Sequence, residues 1–439
     1  MFNLLRKLIP ERSPFRLFYH KLQAIIATIY FRFPANKLRI IAVTGTSGKS
    51  TTVNLIHYLI QYSGTKCGAI STINFFVGEK ELPNESLRTT LRPWQTQKLL
   101  RKMVREKCKF CVLEVSSHAI DQSRLWGVAF DTAVLVNVSD NEHLDYHDNF
   151  AEYVQTKTKI FRSLNTSYRK PHIPKISILN RDDENFEIFE DFPADRIWTF
   201  TTKKRADVSA SDIILTSQRS EFKINLPNHK LKISTPIIGA HNVENLLAAI
   251  TVVVANGISM VKIEKLLKTF PGIPGRLEPI DEKQNFSVVV DFSYKPSALK
   301  AVLNTLKNLV KGRLIVIFGG CYGRTSENLK ACGELLDQLA DEIVLTTDDP
   351  NDSDPKVLST YIKAGIDRKE GEHFFEIEDR YEAIRYGIFV AEKDDCVLIA
   401  GRGHEKIQCI GSQRIPFDDR EVTREILQFA QKENLLDKD

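Results

Sequence analysis

The chain has 439 residues, a length suited to two or three domains with real cores. Apolar residues make up 42% and charged residues 27%, an ordinary globular balance, and a net charge of +5 is too mild to argue for nucleic acid. No run of about eighteen apolar residues occurs, which excludes a simple spanning helix.

The first 38 residues read as a segment apart. Up to residue 39 the chain holds eight Lys/Arg (6, 7, 12, 16, 21, 32, 37 and 39) against one acid, Glu11, interleaved with Leu, Ile, Phe and Tyr. Two readings stand: a helical extension packed on the body, which is favoured, or a basic amphipathic segment on an anionic membrane surface. Glu11 and Arg12 interrupt the region, so it does not read as a secretory signal. Seven cysteines, odd in number and mostly in apolar stretches, point to reduced thiols in the cytosol. Cys108 and Cys111 form a C-x-x-C with no second pair at zinc spacing; bordering FCVLEV, they read as buried strand residues.

From Leu38 onward short apolar runs alternate with amphipathic segments, the pattern of an α/β architecture. RIIAV (39–43) is predicted as a strand and STTVNLIHYLIQYSG (50–64) as a helix closed by glycine. FCVLEVSS (110–117), TAVLVNVS (132–139) and KISILN (175–180) follow as buried strands, with a β-rich elaboration over 205–235 at the sheet edge. PGIPGRLE (271–278) suits a hinge. Beyond it SVVVDF (287–292), RLIVIFGG (313–320), DEIVLTT (341–347) and DCVLIAGRG (395–403) alternate with helical segments, giving a second, smaller parallel sheet. The expected division is the segment 1–38, a P-loop-type parallel-sheet domain over 39–276, and a Rossmann-like α/β domain over 277–439.

Residues 43–52 read VTGTSGKSTT. A strand, a tight glycine turn and a helix N-terminus aim free N–H groups and the helix dipole at an anion. The loop, GTSGKS, is shorter than the usual phosphate-loop pattern. Gly45, Thr46, Ser47, Gly48 and Thr51 are expected around bound phosphates, with Lys49 bridging the outer ones and the Ser50 hydroxyl on Mg²⁺. Glu114, ending the strand in LEVSSH (113–118), is a candidate metal ligand. EHLDYH (142–147) and EYVQTKTKIF (152–161) follow. These residues leave open which of His143 and His147 faces the site, and whether Lys157 or Lys159 does.

GTSGKSTT, LEVSSHAIDQ, EHLDYH, the Y-x-x-x-K pair before KIF, ILNRDD (178–183), IGAHNVENLLAAI (238–250), PGRLE (274–278) and GRGHE (401–405) occur in that order. Together they resemble the Mur ligase family, nearest its E-type branch, from about residue 39 to the C-terminus. The resemblance implies a cytoplasmic, ATP-dependent amide-bond synthesis joining an amino acid to a muramoyl-peptide-like cell-wall precursor. A substrate carboxylate takes the γ-phosphate of ATP, and an amine then displaces phosphate. It also implies roles. Lys49, Glu114, His143 and Lys157 would form the catalytic set, with Ser50 and Glu114 holding one Mg²⁺ and Glu114, His143 and a carbamylated Lys157 the second. Asn242 would lie near the adenine and Arg276 near the nucleotide. His404 and Glu405 would face the incoming amino acid, with Ser116, Ser117, His118, Arg324, Asp348, Asp349 and Asn351 completing the substrate-facing set.

The chain departs from that pattern in four places. The family's UDP-gripping N-terminal domain is read as missing, replaced by the basic segment, so a non-UDP acceptor stays open. DDPN (348–351) stands where diaminopimelate-type members carry DNPR. An acid in place of Asn and no guanidinium favour a cationic side chain, so L-lysine is the expected amine. The family's DYAH reads DFSY (291–294), and a basic GDRDxxKR stretch is reduced to GRTSEN (323–328), keeping Arg324. Three rivals accompany this reading. A folylpolyglutamate-type ligase is opposed by EVSSHAIDQ and GRGHE. A P-loop kinase or NTPase switch would need no second metal site. A degenerate paralogue would act as a membrane-bound scaffold.

Overall fold

The structure, a computed structural model, describes residues 12–84, 88–139, 146–226, 229–433 and 435. The chain divides into two compact units. One comprises Met1–Ile213, Phe222–Ile233 and His241–Thr269; the other comprises Ile214–Glu221, Ser234–Ala240 and Phe270–Asp439.

Eleven strands form the first sheet: β1 (Arg39–Thr44), β2 (Cys67–Ile70), β3 (Asn74–Val77), β4 (Lys80–Pro83), β5 (Phe110–Glu114), β6 (Thr132–Leu135), β7 (Ile176–Asn180), β8 (Arg196–Thr201), β9 (Val208–Leu215), β10 (Ser220–Leu226) and β11 (His229–Thr235). Their order is β11-β10-β9-β8-β7-β6-β1-β5-β2-β3-β4. β1 lies parallel between β5 and β6, and β2–β3–β4 turn antiparallel at one edge. The predicted strands are present but shorter at their C-terminal ends: the 110–117 run stops at Glu114 and the 132–139 run at Leu135. The 205–235 stretch supplies β9–β11 at the opposite edge.

The central strands read as unbroken apolar runs because both faces are covered, and every residue of β5, β6 and β7 is buried. The covering helices are α1 (Pro14–Tyr30), α2 (Lys49–Tyr62), α3 (Pro93–Arg105), α4 (Ser117–Asp121), α5 (Phe150–Thr166), α6 (Phe186–Glu190), α7 (Ala240–Ala255) and α8 (Met260–Lys268). At the N-terminal end of the strands, Asp131 accepts the Ile40 N–H at 2.8 Å and the Lys175 ammonium at 3.2 Å, and is also bonded by Lys170. Both ammonium groups donate to carbonyls as well, Lys170 to Leu38 at 2.6 Å and Lys175 to Phe130 at 2.5 Å. Such a buried cluster is tolerable only when every lone pair and proton is used. That end of the sheet is therefore structural.

The segment from Ser13 to Tyr30 is a helix packed on this unit. Ser13 caps it, its Oγ accepting the Arg16 N–H, and Pro14 occupies the first turn. Ala24, Ala27 and Thr28 are buried; the Thr28 hydroxyl donates to the Trp126 carbonyl at 3.0 Å and accepts from Gln97 at 2.9 Å. Among the described residues no helix is long and apolar enough to cross a membrane.

The second sheet has six strands: β12 (Glu278–Pro279), β13 (Ser287–Asp291), β14 (Leu314–Gly320), β15 (Glu342–Thr347), β16 (Phe374–Glu376) and β17 (Cys396–Ala400), in the order β12-β13-β17-β14-β15-β16. It is parallel except for the short β12, which pairs antiparallel with β13. Alternation along each strand feeds two cores, with Val289, Phe318, Leu345 and Leu398 on one face and Val290, Ile317, Val344 and Ile399 on the other. Helices α9 (Pro296–Lys307), α10 (Ser326–Leu339), α11 (Pro355–Lys363), α12 (Arg380–Val390) and α13 (Asp419–Lys432) complete the unit, with a hairpin of β18 (Ile407–Ile410) and β19 (Gln413–Pro416). All seven cysteines are free, and both Cys108 and Cys111 are buried.

Candidate active site

In the first unit the C-terminal ends of β1, β5 and β6 meet the N-terminus of α2, the end of a parallel sheet where ligands are held. Gly48 precedes α2 with φ of 74°, and a Cβ there would fall 2.2 Å from the Asn245 side-chain oxygen. Only glycine fits on both counts. Among the described residues no side chain caps α2, whose N-terminal N–H groups and dipole favour an anion. Asn137, just past β6, holds the loop: its Oδ1 accepts the N–H groups of Thr46 at 3.1 Å and Ser47 at 3.0 Å. Thr46 Oγ1 lies 3.1 Å from the Tyr153 hydroxyl.

Two lysines converge here. The Lys49 ammonium donates to the carbonyls of Gly45 at 2.9 Å and Thr46 at 2.7 Å. Lys157, 1% exposed, donates to the same Gly45 carbonyl at 2.9 Å and lies 4.3 Å from the Tyr153 ring centroid. Lys159 is exposed and pairs with Asp121 at 3.3 Å, so of the two lysines only Lys157 reaches the loop. Opposite them, Ser50 Oγ lies 3.0 and 2.9 Å from the two oxygens of Glu114. Thr72 adds its N–H at 2.7 Å and its hydroxyl at 3.0 Å to the same carboxylate. Thr51 is buried behind the loop.

Ser116 caps α4 and its N–H donates to Thr90 Oγ1 at 3.0 Å. The Ser117 hydroxyl is buried with no hydrogen-bond partner among the described residues. His118 stacks on Tyr146 with centroids 4.0 Å apart. His143 lies outside the described residues. His147 is 1% exposed, packed between Tyr146 and Tyr153, with neither ring nitrogen hydrogen-bonded among the described residues. Asn242 sits on α7 and accepts from Asn245 at 2.9 Å. Among the described residues no group of three His, Cys, Asp or Glu side chains converges as a metal cluster.

In the second unit the PGRLE and GRGHE loops meet backbone to backbone. A Cβ on Gly275 (φ 61°) would fall 2.1 Å from the His404 nitrogen, and one on Gly403 (φ 54°) 2.6 Å from Phe292 Cβ. The Arg276 guanidinium lies 4.8 Å from the Phe292 centroid and that of Arg324 lies 4.4 Å from the Tyr294 centroid, so the altered DFSY motif supplies the stacking rings. Burial, reinforced by Arg276 and Arg420, pushes the His404 imidazole down to about 3. Burial and then Asp348 push the Glu405 carboxyl up to about 8. Asp348 is 2% exposed and raised by burial to about 6, against the pull of Arg380 and Arg402.

The acids of DDPN face inward. Asp349 Oδ1 accepts the Cys409 N–H at 2.5 Å and lies 3.4 Å from Arg402, whose side chain is fully buried. Asn351, at φ 49°, exchanges backbone bonds with Cys409 and Gly411 of the β18–β19 hairpin. Arg380 holds Asp419 with two bonds of 2.8 Å, both side chains being at most 1% exposed.

Sequence reasoning missed Thr72, Asn137 and Asn245. Each is a small polar residue whose partner is distant in the chain. Positions at the C-terminal ends of parallel strands were the available signal for the first two, and the i, i+3 spacing from Asn242 for the third.

Residues 43–253 match the Mur ligase middle domain and residues 275–403 match the Mur ligase, glutamate ligase domain. The UDP-N-acetylmuramoyl-L-alanyl-D-glutamate--2,6-diaminopimelate ligase of Geobacillus kaustophilus is 36% identical over 401 residues, 91% of this chain and 81% of that protein. Its counterpart from Geobacillus thermodenitrificans is 37% identical over 403 residues, with the same shares. A solved structure of such a ligase superposes with a TM-score of 0.65 at 32% identity, over 90% of this chain and 79% of that one. Folylpolyglutamate synthase of Mycobacterium tuberculosis, solved with ADP and AMPPCP, shares the fold: TM-score 0.66, 15% identity, 95% of each chain. The chain belongs to the Mur ligase family and is an ATP-dependent ligase that forms C–N bonds in peptidoglycan synthesis.

Proposed function

We propose that the first-unit cluster activates a carboxylate of a muramoyl-peptide precursor with ATP, for attack by the amine of a diamino acid. The observation that carries this is the glycine loop held by Asn137 at the start of α2, with Lys49 folded back onto its carbonyls and Ser50 on Glu114 beside it. A helix N-terminus behind a glycine turn favours an anion through its N–H groups and dipole. ATP phosphates are such an anion. Lys49 leaves the loop carbonyls for the outer phosphates, and the α2 N–H groups take the remaining charge.

The oxygen donors of Ser50, Glu114 and Thr72 suit a hard divalent cation, and Mg²⁺ bound there would supply charge neutralisation as two anions are brought together. Lys157 would join that set as a carbamate, which removes the second ammonium; His143 is the further ligand expected. Thr46, Ser47 and Asn242 would orient the nucleotide; Arg276 keeps the nucleotide role that the family resemblance implies. Ser116, Ser117 and His118 would face the acceptor, and Arg324, His404 and Glu405 the incoming amine. Residues 39–276 and 277–439 remain our functional division, with 271–278 as the hinge.

For the amine we favour L-lysine. Asn351 lacks the guanidinium that would fork onto a distal carboxylate. The internal partners of Asp349 leave the missing arginine as the stronger half of that argument. The names of the relatives favour diaminopimelate instead. Phosphate release from ATP, with a UDP-linked or UDP-free muramoyl-dipeptide and each amine in turn, tests the reading. Release that requires acceptor and lysine, with the matching mass gain, is expected. Release with diaminopimelate alone transfers the specificity to that amine, and release indifferent to any amine overturns the ligation step.

A further inference from the structure

Helix α1 turns its small residues inward and its large ones outward. His20, Ala24, Ala27 and Thr28 are buried against the first unit. Phe15, Phe18, Leu22, Ile26, Ile29 and Tyr30 are exposed, by 70, 64, 41, 47, 57 and 69%. At about 100° per residue these six fall within a stripe of roughly 120°, with Arg16 and Lys21 on its two shoulders. Surface helices normally show the reverse, and a contiguous apolar patch of this kind marks an interaction surface. Trp94 of α3, 40% exposed, widens the patch, its ring 5.3 Å from Tyr30 and 5.8 Å from Phe31.

Charge selects the occupant. From Arg12 to Gly78 the chain has no acidic residue, and two exposed cations stand on the helix and just past it, Lys21 on the shoulder of the stripe and Arg32 two residues past the end of the helix. A second copy would set two basic faces against each other. An anionic lipid surface neutralises them and accepts aromatic and aliphatic side chains at headgroup depth. We propose that the outward face of α1 seats the protein on an anionic bilayer surface, with the helix lying in the plane of the interface. The inference is independent of the ligase reading.

The test is sedimentation of the full chain with vesicles of phosphatidylcholine alone, or with about a third phosphatidylglycerol. Binding is expected on the anionic vesicles, weakening as salt is raised. The double variant Phe18→Ser, Ile29→Ser is expected to lower apparent affinity at least about tenfold. Lys21→Gln with Arg32→Gln should lower it about tenfold, on anionic vesicles only. All four side chains are at least partly exposed, and far-UV circular dichroism verifies that the variants fold. A folded chain that fails to bind anionic vesicles, or a serine variant that binds as well as the parent, overturns the proposal. So does a concentration-dependent dimer that the serine substitutions dissolve, which assigns the face to a second copy.

Discussion

The phosphate-loop cluster of the first unit and the acid–arginine cluster of the second use the same kinds of side chain in opposite ways. Around the loop, Lys49 and Lys157 rest on backbone carbonyls and Glu114 rests on hydroxyls and an N–H. The partners of Glu114 are neutral, so an incoming cation outbids them. In the second unit Arg380 is closed on Asp419 and Arg402 lies against Asp349 and Asp419, each charge answered by another charge inside the protein. Weak partners mark groups kept ready for a ligand. Strong internal pairs mark groups already committed to the fold.

That contrast predicts opposite responses to truncation. Lys49→Ala is expected to reduce ATP-dependent phosphate release about a thousandfold or more while leaving the melting temperature within a few degrees. Arg380→Ala should do the reverse in kind, destabilising by about 3–5 kcal/mol because the buried Asp419 carboxylate loses its partner. Urea unfolding measures the second. A stable Arg380→Ala protein with lost activity would move Arg380 from the fold to the site.

Lys157 is the sharper test within the first cluster. In the proposed carbamate form it would hold metal as an anion, a role that a permanent cation cannot fill. Lys157→Arg and Lys157→Ala are both expected to lose activity about a hundredfold, with short carboxylic acids partly rescuing the alanine variant. Full activity in the arginine variant would mean that Lys157 acts only as a buried positive charge on Gly45.

The phosphate loop was legible because its chemistry is local: ten residues hold the strand, the glycine turn and the helix start. Glu114 was legible from its place at a strand end. The supports were not, because Asn137 reaches the loop only through the β1–β6 pairing and Thr72 reaches Glu114 only through the β2–β5 pairing. In α1 the amphipathic pattern was readable, but not which face turns inward. Ala24 and Ala27 allow close approach and Thr28 gains two hydrogen bonds there, which leaves the large apolar residues outside. DDPN shows the same limit. Its acids read as an open ammonium site, yet Asp349 is engaged by Cys409 and Arg402, more than fifty residues away in sequence.

Glu405 lies between these two regimes, since it belongs to the committed cluster yet holds its proton. Burial and the neighbouring Asp348 raise its carboxyl to about 8, above the ordinary value of 4.5. A group raised in the folded state binds its proton more tightly there than when unfolded, so its stabilisation is complete at low pH and is lost as pH rises through about 8. His404, depressed to about 3, acts with the opposite sign, but only below its ordinary value of 6.5. Between pH 6.5 and 8.5 the Glu405 contribution stands clear of it, and the melting temperature should fall by a few degrees across that window. Glu405→Gln keeps the shape and removes the titration, so the fall should flatten in the variant. An unchanged slope would mean that Glu405 is already ionised at neutral pH, its charge answered by Arg402 as the charges of its neighbours are. A cationic amine bound against Glu405 would draw the proton off, so saturating lysine should flatten the parent's slope as the glutamine substitution does.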